Sequence, residues 1–347
     1  MSGKTLKVLR LTDFYGAMTG LTKIVARECK LLETLCLERC NLTVPIADIL
    51  NQTATIKEVR LQKRVQRYGR RRHFPRESQM KRSLLERIQC NTVTKLALLD
   101  RLNVGDVDII ARAFPNVTHF EIMDPSAPLL SKFLAKYPSM ECVRLVEIST
   151  LCSELISVVQ GHGQVKSIQL QSSHRNMHMY LSLSMFRILP MRSITITCDL
   201  NMLNGLRLIA EYSNVSLEVL KLDGYYVSTT AADLTALSLH CPNLRVLHLR
   251  VLTELASYAS VFERCATLEE LWFGDCISTS VEQVASSIVA NCQHLETVAF
   301  NNNANNQKFT SLLRTCPKLH NIGFARWSNH YSTYADRPKH DSAEFQF

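Results

Sequence analysis

The 347-residue chain has no apolar run of about 18 residues, so a transmembrane helix is not expected. Its opening, Met1 to Arg10, has no apolar signal-peptide core and reads as the start of a strand. Both observations predict a cytosolic or nuclear protein. Catalytic signatures are missing too: the sequence contains no G-x-x-x-x-G-K-[ST], G-x-S-x-G, H-E-x-x-H or G-x-G-x-x-G. The 11 histidines are scattered. Cys36 and Cys40 form a lone C-x3-C with no second pair nearby, which argues against zinc. The expectation is therefore a non-enzymatic chain with no cofactor and no metal.

What is present is a repeat. Cys241-Pro-Asn-Leu-Arg-Val-Leu-His-Leu249 returns as Cys265-Ala-Thr-Leu-Glu-Glu-Leu-Trp-Phe273, Cys292-Gln-His-Leu-Glu-Thr-Val-Ala-Phe300 and Cys316-Pro-Lys-Leu-His-Asn-Ile-Gly-Phe324. Its core is apolar-x-x-apolar-x-apolar. Thirteen copies start at Leu6, Leu32, Ile56, Val93, Val117, Met140, Val165, Met191, Leu217, Leu244, Leu268, Leu295 and Leu319. The intervals are 23–27 residues, apart from one of 37. The closing apolar-x-apolar triplet has the period of a strand with one buried face. Between strands, Val107–Phe114, Leu129–Lys136 and Val281–Ala290 carry apolar residues at helical spacing. A period of this length, with a strand and a helix per unit, predicts an α/β leucine-rich-repeat solenoid. Its strands form a parallel β-ladder on the concave face and its helices line the convex face.

Six cysteines stand three residues before a repeat start: Cys29, Cys90, Cys241, Cys265, Cys292 and Cys316. Phe114, Tyr137 and His162 fill the same slot elsewhere. A column at one position of a stacked repeat reads as small buried side chains rather than disulfides. Cys40 and Cys276 occupy the position where such repeats favour Asn or Cys. On these residues the chain resembles the cysteine-containing leucine-rich-repeat subfamily with a ribonuclease-inhibitor-like horseshoe, over about residues 5–327. The resemblance implies an F-box-type adaptor that presents a substrate to an SCF-type ubiquitin ligase. The F-box itself is not expected in this chain. Val44-Pro-Ile-Ala-Asp-Ile-Leu50 matches it only superficially and fills the helix slot of the second repeat.

Residues 1–327 are read as the repeat domain, 62–89 as a basic insertion and return helix in the third repeat, and 328–347 as a polar tail. Between 62 and 82 stand Lys63, Arg64, Arg67, Arg70, Arg71, Arg72, Arg76, Lys81 and Arg82 against Glu77, a charge of +8. The whole chain carries +9, which leaves +1 for everything else. The readings for this stretch are a solvated loop, a contact for an acidic protein, an import signal, or phosphate and base contacts to nucleic acid with Tyr68 and Phe74. A balanced remainder offers no basic stripe for a duplex. No convergent basic pocket calls for a small-molecule ligand.

The residue between the last two apolar positions of each unit faces out of the core. That column runs Arg10, Cys36, Arg60, Ala97, Glu121, Arg144, Gln169, Thr195, Lys221, His248, Trp272, Ala299 and Gly323. Trp272 stands out, because an exposed indole offers large area and a donor to a partner. Lys221, Asp223, Tyr225, Tyr226, His248, Arg250, Asp275 and Trp327 surround it, aromatic and charged residues interleaved as at an interface centre. The competing reading is that Trp272 packs on neighbouring rungs. His248, Asp223 and Cys276 make a catalytic triad on paper only, since the repeat period places them. The expected partner is a protein, with an accessory role in a nucleic-acid-containing or large structural assembly as the alternative.

Overall fold

The computed structural model describes residues 5–14, 18–40, 42–43, 45–63, 82–148, 152–171, 191–197, 206, 210, 214–228, 230–254, 258–273, 276–277, 281–301 and 314–325. Its strands are β1 (Val8–Thr12), β2 (Thr34–Cys40), β3 (Glu58–Lys63), β4 (Lys95–Leu98), β5 (His119–Met123), β6 (Cys142–Val146) and β7 (Ser167–Gln171). They continue as β8 (Ser193–Thr197), β9 (Val219–Ser228), β10 (Val246–Glu254), β11 (Glu270–Phe273), β12 (Cys276–Ile277), β13 (Thr297–Asn301) and β14 (Asn321–Ala325). Thirteen of them form one ladder in chain order, and the short β12 pairs instead with the far end of β10. Neighbours pair in parallel throughout. This is the expected leucine-rich-repeat solenoid.

The helices are α1 (Met18–Glu28), α2 (Pro45–Gln52), α3 (Arg82–Leu85), α4 (Val107–Ala113), α5 (Ala127–Lys136), α6 (Cys152–Gln160), α7 (Ala231–His240), α8 (Ala259–Arg264) and α9 (Val281–Asn291). Local chemistry explains their starts. Ser126 accepts the N–H of Leu129 ahead of α5, and Pro128 occupies its first turn. Thr230 and Asp233 form a reciprocal capping box on α7. In α5, Leu129, Leu130, Phe133 and Leu134 turn inwards, at the spacing of one helix face. The segment Pro45–Gln52 is a repeat helix with Ile46, Ala47, Ile49 and Leu50 buried, so its F-box likeness is accidental.

The core is one continuous column. Repeat starts from Leu32 to Leu295 are all at most 2% exposed. The slot three residues upstream closes the helix in most of the described repeats, while the Cys90 N–H goes instead to the Ala113 carbonyl of the next repeat. The N–H of Cys241, Cys265 and Cys292 reaches the carbonyls of Leu237, Val261 and Ile288, while their own carbonyls accept the N–H of Leu244, Leu268 and Leu295. One residue thus ends the helix and turns the chain into the next strand. Its side chain also reaches across repeats. Tyr137 Oη donates to the Phe114 carbonyl at 3.0 Å and Cys265 Sγ to the Cys241 carbonyl at 3.7 Å. Burial pushes the thiols of Cys241, Cys265 and Cys292 up to about 12, so they stay protonated and unreactive.

Candidate binding face of the ladder

The strand register sets the outward column in line from end to end. Arg10 stands opposite Cys36, Cys36 opposite Arg60, and so on to Ala299 opposite Gly323. These residues are not ordinary surface, as their outward direction suggested. Cys36, Glu121, Ala97, Ala299 and His248 are at most 9% exposed. Rungs lie about 4.8 Å apart, so long side chains lie along the ladder and cover their neighbours.

Two floors result. In the first, Arg60 reaches over Ala97 to Glu121, with Nη1 2.7 Å from Oε2, and its Nε lies 2.7 Å from Glu38 Oε1. Arg144 approaches Glu121 from the other side at 3.6 Å and donates to Gln171 Oε1 at 2.6 Å. Only a residue as small as Ala97 lets Arg60 span two rungs. Beside this network, Glu58, Lys95, His119 and Cys142 face one another across β3 to β6. Burial raises the Glu58 carboxyl and lowers Lys95 and His119. A shallow recess over Ala97 is lined by Glu58, Arg60, Lys95 and Glu121.

The second floor carries Lys221, His248 and Trp272 on β9, β10 and β11. Trp272 is half-buried rather than freely exposed, because its ring stacks on His248 with centroids 4.4 Å apart and planes 16° apart. His248 Nε2 lies 2.9 Å from Glu270 Oε1. Burial alone would raise the Glu270 carboxyl. The His248 hydrogen bond and charge, Lys221 and the nearby indole outweigh it and hold that carboxyl below its usual range. The Trp272 indole N–H is itself buried and completes no hydrogen bond of full geometry. The next two rungs contribute only Ala299 and Gly323 to the column.

The remaining predicted residues fall apart from this pair. Asp223 and Arg250 stand opposite each other on β9 and β10. Tyr225 and Tyr226 lie where β9 leaves register, since Asp223 to Ser228 spans the same length of β10 as Arg250 to Leu252. They do not share the column. Asp275 and Trp327 lie outside the described residues. His248 pairs with Glu270. Glu270 was missed because only the central outward position of each strand was read; the residue two places before Trp272 shares its face.

Of the basic stretch, Arg64, Arg67, Arg70, Arg71, Arg72, Arg76 and Lys81 lie outside the described residues. Its two ends are placed. Arg82 opens α3, exposed and 3.7 Å from Glu86. The Lys63 N–H donates to both carboxylate oxygens of Asp100, at 3.1 and 3.2 Å. Asp100 is 1% exposed, and burial pushes its carboxyl up to about 7. No sequence signal marked this residue. Among the described residues no cluster of His, Cys, Asp or Glu could hold a metal ion, and no helix is long and apolar enough to cross a membrane.

No family model matches this sequence, and no curated protein matches it significantly. Solved structures do match. A structure of TLR13 in complex with ssRNA13 has a TM-score of 0.53 at 13% identity, covering 92% of this chain and 46% of that one. This chain therefore spans under half the TLR13 chain. The leucine-rich-repeat-containing protein LegL7 from Legionella pneumophila matches with a TM-score of 0.50 at 16% identity, over 83% of this chain and 89% of that one. At such identities the likeness establishes the fold alone.

Proposed function

We propose that this chain is a non-enzymatic protein-binding scaffold whose concave face takes its partner around Trp272. The supporting observation is the half-exposed His248–Trp272 stack, with Glu270 hydrogen-bonded beside it. A half-buried aromatic held rigid by stacking offers a partner a large area at low entropic cost and suits an interface anchor. The finer reading follows the repeat pattern. The cysteine slot is that of F-box-type receptors, which supports a substrate-recognition role in an SCF-type ubiquitin ligase, in the cytosol or nucleus.

The test is affinity capture of the native partner with parent and Trp272→Ala chains. Loss of capture by the variant, with ligase-core subunits among the captured proteins, is the expected result. Equal capture by both chains removes Trp272 from the interface, and absence of ligase subunits removes the ubiquitin assignment.

A second reading has its own observation, the +8 concentrated between Gln62 and Arg82. It makes the chain an accessory subunit of a nucleic-acid-containing or other large assembly, gripped through clustered arginine. Reversing the charge of Arg70, Arg71 and Arg72 then weakens retention and flattens its salt dependence. Retention that ignores both salt and reversal rules this reading out.

A further inference from the structure

The outward column changes chemistry at β10. His248 has Lys221 opposite it on β9 and Trp272 opposite it on β11. Its ring stacks on the indole with centroids 4.4 Å apart. Its Nε2 lies 2.9 Å from Oε1 of Glu270, on the same strand as Trp272. Two residues further along β9 and β10, Asp223 and Arg250 stand opposite each other, and two residues back Val219 and Val246 do. The charged groups that share its face on its own and both neighbouring strands are therefore Lys221, Asp223, Arg250 and Glu270.

The imidazole is 9% exposed, so a positive charge on it needs a counter-charge within reach. Glu270 supplies one. Burial raises that carboxyl, yet the His248 hydrogen bond and charge, joined by Lys221, hold it below its ordinary range. The coupling is reciprocal, since a carboxylate held ionised by an imidazolium also holds that imidazolium protonated. The indole face adds an attraction for a stacked cation that the neutral ring does not feel. Lys221, a like charge on the other side, opposes both. Protonation of one residue thus tightens two contacts, and both end on the strand that carries Trp272.

We propose that His248 is a proton-operated clamp on Trp272: the imidazolium, paired with Glu270, fixes the indole, and the neutral imidazole lets it change rotamer. The protonated state presents a rigid aromatic anchor, which a partner engages at lower entropic cost. The bearing on partner binding rests on the reading of Trp272 as an interface anchor, whereas the clamp itself does not. Histidine is the side chain whose ordinary titration range adjoins neutral pH, so physiological changes in pH reach the device.

The test reads the indole directly. The chain holds two tryptophans, so Trp327→Phe leaves Trp272 as the sole emitter. A stacked imidazolium quenches indole emission far more than a neutral imidazole does. Emission should therefore rise at least about 1.5-fold from about pH 5.5 to about pH 8, with one midpoint. In the same background, Glu270→Gln should lower that midpoint by at least about half a pH unit, and His248→Gln should abolish the transition. Asp100, which titrates in the same range beside Lys63, is untouched by either variant. Flat emission, a midpoint unmoved by Glu270→Gln, or a transition that survives in His248→Gln overturns the clamp. Glu270→Gln keeps His248 in place, so the test stays decisive if His248→Gln fails to fold. The partner captured by the parent chain should be held at least about threefold more tightly at the lower pH, and His248→Gln should lose that dependence. A fluorescence transition without this dependence upholds the clamp and removes Trp272 from the interface.

Discussion

The two floors of the concave face are built on the same ladder, yet one is closed by buried ion pairs and the other keeps a half-exposed aromatic stack. On β3 to β6, Arg60 and Arg144 compensate the charge of Glu121, whose carboxylate is 2% exposed, although its Oε1 completes no hydrogen bond. On β9 to β11, His248 and Glu270 pair while the Trp272 ring stacks on His248 and stays half-exposed. Charge buried within a network resists rearrangement, because removing one member leaves the others desolvated and unpaired. A half-exposed aromatic stack keeps apolar area for an outside group. The first floor should therefore hold the solenoid, and the second should hold a partner.

The largest effect should come from breaking the closed floor. Glu121→Ala strands two half-buried guanidinium groups and should cost about 3–5 kcal/mol in denaturant unfolding. A cost under about 1 kcal/mol would erase the distinction between the floors.

Next comes a dependence on pH at the same end of the array. Asp100 titrates near 7 in the fold, against an ordinary value of 3.8. Below the lower value both states are protonated and no penalty exists. As pH rises, the unfolded chain gives up its proton first, so stability is lost between about pH 4 and 7, by on the order of 4 kcal/mol. Asp100→Asn should flatten that slope and become the more stable chain at pH 8, as read from thermal midpoints across pH. A parent chain with no slope over this range would show that Asp100 ionises freely.

Trp272→Ala should reverse the pattern of Glu121→Ala. Only the stack and a half-buried surface are lost, so unfolding should shift by about 1–2 kcal/mol, while partner affinity falls by at least about 2 kcal/mol. A stability loss as large as that of Glu121→Ala would make the second floor structural as well.

The smallest effect concerns how strands leave the ladder near the closed floor. Asp13, Arg39, Asp124 and Glu147 each follow the outward column by three residues and adopt φ between 46° and 54°. This left-handed turn is strained for a side chain. Glu147→Gly should relieve it, offset by glycine's greater freedom when unfolded, for a net gain of up to about 1 kcal/mol. A loss instead would show that the Glu147 side chain contributes more than its backbone strain costs.

The solenoid was legible in the sequence because its marker is periodic. Counting from Leu6 to Leu319 placed every rung and every outward residue from Arg10 to Gly323. What counting could not reach lies between rungs. Arg60 meets Glu121 across Ala97, two units away, and nothing in either repeat announces the pairing. Asp100 meets Lys63 by position alone. The extra residues of β9 that carry Tyr225 and Tyr226 out of register sit inside an ordinary repeat interval, so the marker passes over them. Trp272 was found as an anomaly of residue type, but its stacking on His248 and its neighbour Glu270 required the face rather than the column.

The slot that ends most of the described helices has a mechanical consequence. Tyr137 and Cys265 each hang a donor on the carbonyl of the slot before them, and Thr267 bonds the Pro242 and Leu244 carbonyls of the preceding unit. A unit is latched by the unit that follows it. Under tension or in rising denaturant the array should open like a zip, from a terminal tooth inwards, and hydrogen exchange should grade smoothly from ends to centre rather than divide into blocks.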